Sequence, residues 1–60
     1  MKAYIKGLIH NKMEILQIYS LMPETPDNAP VVYSDEGFLR LITSTGKTIY
    51  VGANYIVEVI

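Results

Sequence analysis

The stretch Val31-Val32-Tyr33-Ser34-Asp35-Glu36-Gly37-Phe38-Leu39-Arg40-Leu41-Ile42-Thr43-Ser44-Thr45-Gly46-Lys47-Thr48-Ile49-Tyr50-Val51 reads as a three-stranded antiparallel meander. Two turns punctuate it, Asp35-Glu36-Gly37 and Ser44-Thr45-Gly46, and each ends in glycine. A three-residue hairpin loop of this kind is a type I turn followed by a residue at positive φ, which glycine adopts without a Cβ clash. Turns built this way set the register. Tyr33 then lies opposite Leu39 and Val31 opposite Leu41, while Leu41 lies opposite Ile49 and Leu39 opposite Val51. Side chains alternate along a strand, so these residues share one apolar face. A two-residue loop at Thr45-Gly46 would instead pair Arg40 with Val51 and scatter the apolar set. The other face carries Val32, Phe38, Arg40, Ile42, Thr48 and Tyr50.

Outward from the meander, Met22 to Pro30 is an irregular, solvated connection. Pro23, Pro26 and Pro30 donate no ladder hydrogen bonds and hold the chain extended, and Glu24 and Asp27 make it acidic. Further upstream, Lys2 to Ile9 reads as a strand with Ala3, Ile5 and Ile9 alternating against Lys2 and Lys6, and with Gly7 marking a bulge or bend. His10-Asn11-Lys12 is its turn. Met13 to Leu21 fits two readings. As a strand it is rich in Ile and Tyr; as a helix it would take Asn11 as its cap and line up Ile15, Ile18, Tyr19 and Met22. Strand is the expectation, with apolar residues on both of its sides, so pattern leaves its register open. Downstream of the meander, Gly52-Ala53-Asn54 forms a turn and Tyr55 to Ile60 a last strand, with Tyr55, Val57 and Val59 inward and Ile56, Glu58 and Ile60 outward.

The chain of 60 residues is a single domain spanning 1–60, near the lower limit for independent folding. It contains no cysteine and one histidine, so neither a disulfide framework nor a structural metal is expected, and no cofactor is implied. Half of the residues are hydrophobic, which in so short a chain suggests burial in an oligomer or partner interface. The formal net charge of −1 supplies no field to gather nucleic acid or acidic lipid. No apolar run approaches membrane-spanning length, and the N-terminal residues lack a signal-peptide h-region, so the expected location is cytoplasmic, in a bacterial cell or an infected host.

Ser44-Thr45-Gly46-Lys47-Thr48-Ile49-Tyr50-Val51-Gly52-Ala53-Asn54-Tyr55-Ile56 resembles the C-terminal part of Src-homology-3 domains, in which a glycine-containing turn, a strand, an Asn-Tyr turn and a closing strand follow one another. Asn54 and Tyr55 match the Asn-Tyr pair, and the resemblance implies a peptide-contacting role for Tyr55. Gly52 stands where the family has its groove proline, and Gly37-Phe38 is nearest in position to its paired tryptophans. The expected fold is therefore all-β, a small antiparallel SH3-like β-barrel of five or six strands. The alternative is an α+β arrangement, β-α-β-β-β, with residues 13–21 helical.

No catalytic constellation emerges. Gly46-Lys47-Thr48 lacks the earlier glycine and following helix of a phosphate-binding loop, since Leu41 occupies the glycine position and a strand follows. His10 sits in a turn without a nucleophile partner, and the carboxylates are scattered over turns. The aromatic residues are more informative. Tyr50 beside Arg40, with Val32, Phe38 and Ile42, makes a mixed apolar and aromatic patch of interface composition, unless the first hairpin packs over that face. The expected function is a small non-enzymatic protein-binding module acting through Phe38, Arg40, Tyr50, Ile42, Val32, Asn54 and Tyr55. Its most specific form is a phage- or mobile-element-encoded inhibitor of a bacterial host defence or replication protein. The alternatives are a nucleic-acid or nucleotide binder that stacks bases on Tyr50 and Phe38, disfavoured by the charge, and a structural subunit of a larger assembly. A homodimer or higher oligomer is expected to cover Val32, Phe38, Ile42, Ile56 and Ile60.

Overall fold

In a computed structural model, which describes residues 1–60, both glycine-ended turns have the backbone their sequence requires. Gly37 has φ +88° and Gly46 has φ +85°. The meander strands β3 (Val31–Tyr33), β4 (Leu39–Ile42) and β5 (Thr48–Val51) follow in the expected register. Val31 is opposite Leu41, Tyr33 opposite Leu39, Leu41 opposite Ile49 and Leu39 opposite Val51. The two turns share a further device. The residue before each loop bears a hydroxyl, and that oxygen accepts a hydrogen bond from the backbone N–H four residues on: Phe38 to Ser34 Oγ at 3.3 Å and Lys47 to Thr43 Oγ1 at 3.1 Å. In the first turn Ser34 Oγ also accepts from the Glu36 N–H. The neighbouring acidic side chains, Asp35 and Glu36, are exposed.

The rest of the chain is also strand: β1 (Lys2–Ile9), β2 (Lys12–Ser20) and β6 (Ile56–Val59). The helix considered for 13–21 does not form. These residues pair antiparallel with β1, where their Ile and Tyr side chains suit a pleated surface. Nor is the first turn three residues long. Ile9 pairs with Lys12 across His10 and Asn11 alone, at φ 50° and 64°, a pair of left-handed residues that matches the twist of the flanking strands. The irregularity expected at Gly7 lies on its partner strand. Ile5 is opposite Gln17 and Lys6 opposite Ile15, so Leu16 is an extra residue in β2. Gly7 accommodates that bulge, because a Cβ there would lie 2.7 Å from Leu16 Cδ1.

The strands form two three-stranded antiparallel sheets, β2-β1-β6 and β3-β4-β5. Ala3, Ile5 and Leu21 from the first sheet and its exit meet Leu39, Leu41 and Val51 from the second, with Tyr19, Val31, Ile49 and Val57 packed around them. The first hairpin therefore covers the Leu39/Leu41/Val51 face and leaves the Arg40/Tyr50 face open. The chain crosses between the sheets twice, through residues 21–30 and 52–55, and the first crossing begins at a corner where Leu21 bridges Thr43. There the Met22 N–H donates to the Ile42 carbonyl and the Ser44 N–H to the Ser20 carbonyl. The acidic connection is exposed from Pro23 to Ala29, but Pro30 is fully buried and its carbonyl accepts from the Ile42 N–H. The chain has no helix, and so none long and apolar enough to cross a membrane.

Two substitutions test the turns. Gly46→Val places a β-branched residue at positive φ and is expected to cost about 1–3 kcal/mol in urea unfolding; an unchanged midpoint would contradict the turn geometry. Thr43 is nearly buried, and Thr43→Val leaves the Lys47 N–H without its acceptor, an expected loss of about 1–3 kcal/mol. Thr43→Ser keeps the oxygen and should retain most of that stability; equal losses in both variants would assign the effect to packing.

Candidate functional site

Strand alternation places Val32, Arg40 and Tyr50 in one cross-strand row on the outer face of β3-β4-β5. Ile42, opposite Thr48, continues this face toward the second turn. Phe38 stands at its other end and meets Tyr50 edge-on, with ring centroids 5.5 Å apart and planes at 78°. In this arrangement the positive ring edge meets the negative ring face. Arg40 and Tyr50 are exposed, whereas Val32, Phe38 and Ile42 are half-buried. Five of the seven residues singled out from sequence thus share a surface.

The other two, Asn54 and Tyr55, lie in the exposed segment before β6, off that face. Tyr55 reaches it only through a cleft. Tyr33, Gly37, Phe38, Leu39, Val51, Gly52, Ala53, Tyr55 and Val57 line an open hollow of about 180 Å³ where the two sheets end. Asn54 is not among its lining residues. The Asp35–Gly37 turn and the Gly52–Tyr55 segment both come to this end of the molecule, so Phe38 belongs to the face and to the cleft at once.

The cleft was only partly foreseeable. Register puts Tyr33 on the inward face, as expected, but β3 ends there with nothing above it, and Tyr33 is 80% exposed. Tyr55 is 48% exposed, and Val59 likewise faces the core side without being covered. Both tyrosines serve as rim residues more than as core. The signal available in the sequence was the coincidence of an aromatic residue beside each of two glycine-containing turns at the same end of a meander.

Charged groups contribute little. The one ion pair, Lys6 Nζ to Glu58 Oε1 at 3.3 Å, lies on the other sheet. No group of three His, Asp or Glu side chains is placed to hold a metal ion. His10 is exposed at the tip of the first hairpin, and no buried side-chain polar atom lacks a partner. What the arrangement offers is an apolar, aromatic-walled hollow beside a cation and a phenol. Searches against protein-family models, curated proteins and solved structures gave no match to this chain.

Phe38 and Tyr33 should separate in their contributions. Phe38→Ala removes a cleft wall and the contact with Tyr50, and should lower stability by about 1–3 kcal/mol, less than for a fully buried phenylalanine. Tyr33→Ala should stay within about 0.5 kcal/mol of the parent in the same denaturation assay. Equal losses would mean that Tyr33 is packed in solution.

Proposed function

We propose that this chain is a non-enzymatic protein-binding module whose cleft receives an apolar anchor residue from an extended segment of a partner protein. The convergence of Tyr33, Phe38 and Tyr55 on one open hollow supports this reading, with Arg40 and Tyr50 available alongside to hydrogen-bond the flanking partner backbone or acidic groups. Aromatic and arginine side chains are the residue types that carry most binding energy at protein interfaces, because they present large areas at low conformational cost. An anchor-in-pocket mode also suits a domain with a small core, since it demands little rearrangement. In this reading the two sheets, joined at the Leu21–Thr43 corner, are an open form of a small SH3-like barrel, and Tyr55 has the peptide-contacting role that its Asn-Tyr motif implies. The inhibitor of a bacterial host protein suggested by the sequence is one biological form such a module takes.

Selection from a random extended-peptide library on the immobilised protein tests the proposal. Enriched peptides should share one large apolar residue, and Tyr55→Ala should weaken their binding about tenfold or more while leaving the circular dichroism spectrum unchanged, consistent with the loss of a hot-spot tyrosine. Enrichment without a common apolar anchor, or full binding to Tyr55→Ala, would remove the cleft from the mechanism. Submicromolar affinity for an oligonucleotide in fluorescence anisotropy would favour a base-stacking role for the same aromatics.

A further inference from the structure

The outer face of the β2-β1-β6 sheet has a composition opposite to that of its counterpart. Pairing puts Tyr4 with Ile18, Lys6 with Ile15 and Leu8 with Met13 on this side, and sets Ile56 beside Lys6 on the far strand. Leu8, Met13, Ile15, Ile18 and Ile56 are between 47% and 70% exposed. All but one of the nine residues of β2 are exposed, although the strand is rich in large aliphatic side chains. The sheet has a cover on its inner side only.

The dimensions of the molecule measure what is missing. A compact monomer of 6.8 kDa should expose about 4,000 Å², whereas this chain exposes 4502 Å². Its radius of gyration is 11.8 Å, against about 10.4 Å for a compact chain of this length. The molecule measures 40 Å in its longest direction, and the exposed aliphatic side chains of the β1–β2 hairpin are part of this excess surface. Two chains that each returned this excess of about 500 Å² would bury about 1,000 Å² together, the lower bound for a specific interface.

We infer that a second copy of this chain seats on the outer face of the β2-β1-β6 sheet, hairpin against hairpin, about a two-fold axis. The charges of the face favour a copy of itself. Its central cation, Lys6, is paired within its own chain to Glu58, so two identical faces meet without like-charge opposition, and the only other cation, Lys2, lies at the end of the sheet. A two-fold axis matches the same aliphatic patch on both chains, which is the condition for a closed dimer. The surface is distinct from the Phe38/Arg40/Tyr50 side, which remains open in the dimer. The five residues expected from sequence to form one covered patch are thereby divided, with Val32, Phe38 and Ile42 on the outside of one sheet and Ile56 and Ile60 in the other.

Analytical ultracentrifugation tests the inference independently of the cleft. The wild-type chain should sediment at twice 6.8 kDa at micromolar concentration, and its melting temperature should fall on dilution, as it must when association stabilises the folded state. The double variant Ile15→Asp/Ile18→Asp should sediment as a monomer with its β spectrum intact, while Tyr33→Asp, at the cleft, should remain dimeric. If the double variant does not fold, a dilution series of wild-type amide NMR spectra decides. Shifts concentrated at Met13, Ile15, Ile18 and Ile56 support this interface, and shifts concentrated at Arg40 and Tyr50 overturn it. A wild-type chain that stays monomeric up to near-millimolar concentration, or a double variant that still dimerises, also overturns it.

Discussion

Two three-stranded sheets of this size have few side chains with which to hold one another, and the corner at Leu21 and Thr43 keeps them in place. Here the backbone leaves β2, pairs with the end of β4 and fixes the position of one sheet over the other through main-chain hydrogen bonds. Leu21 at that corner is buried and belongs to the six-residue core. Thr43 has two tasks, closing the second turn with its hydroxyl and bridging to Leu21 with its backbone. Once the corner is set, Leu41 and Ala3, both with no exposed surface, lie within one core. The core is small because the second sheet has short strands, so the overhanging half of the first hairpin lies beyond its cover.

The meander was legible because all its signals agreed. Two glycines at loop ends, period-two alternation and β-branched residues each indicated the same register, and the inward face follows it. Met13 to Leu21 was harder to read for a physical reason. Strict alternation would put Ile15, Gln17 and Tyr19 on one side, mixing polar with apolar. The extra residue Leu16 shifts the phase, so Met13, Ile15 and Ile18 face outward together while Gln17 and Tyr19 turn toward the core side. No local motif announces such a phase change, since it depends on Gly7, on the adjacent strand, leaving space for Leu16. The same limit applies to the aromatic cleft. Which aromatics belong to one surface was readable within the meander, but the meeting of Tyr33 and Phe38 with Tyr55 depends on how the second sheet closes over the first, and tertiary placement of that kind has no sequence period.

The two outer faces divide the chemistry of the molecule. One is aliphatic, nearly devoid of unpaired charge and built on long strands; the other carries a free arginine, an exposed tyrosine and a phenylalanine on short ones. Aliphatic sheet surfaces favour permanent burial, because their contribution scales with area and has little directional demand. Aromatic rims with a guanidinium suit reversible contacts, since each ring has a polar edge or hydroxyl that tolerates water between encounters. The near-zero net charge gives weak long-range attraction, so short-range contacts would dominate at either face.

The unpaired residue Leu16 has one more consequence, for solubility. A nine-residue strand with Met, Ile, Leu and Tyr at the border of a sheet offers a row of unsatisfied amides and carbonyls to any passing chain, the template from which fibrils grow. A kink in the middle of that row breaks it into segments too short and too differently aimed to be copied in register by a straight strand. Deleting Leu16 would straighten the border while leaving Ile15 opposite Lys6 and Gln17 opposite Ile5, and so would expose a flat template with the pairing behind it unchanged. The same irregularity that hides the strand from pattern analysis thus guards the monomer, during synthesis and before any partner is met, against its own stickiest edge.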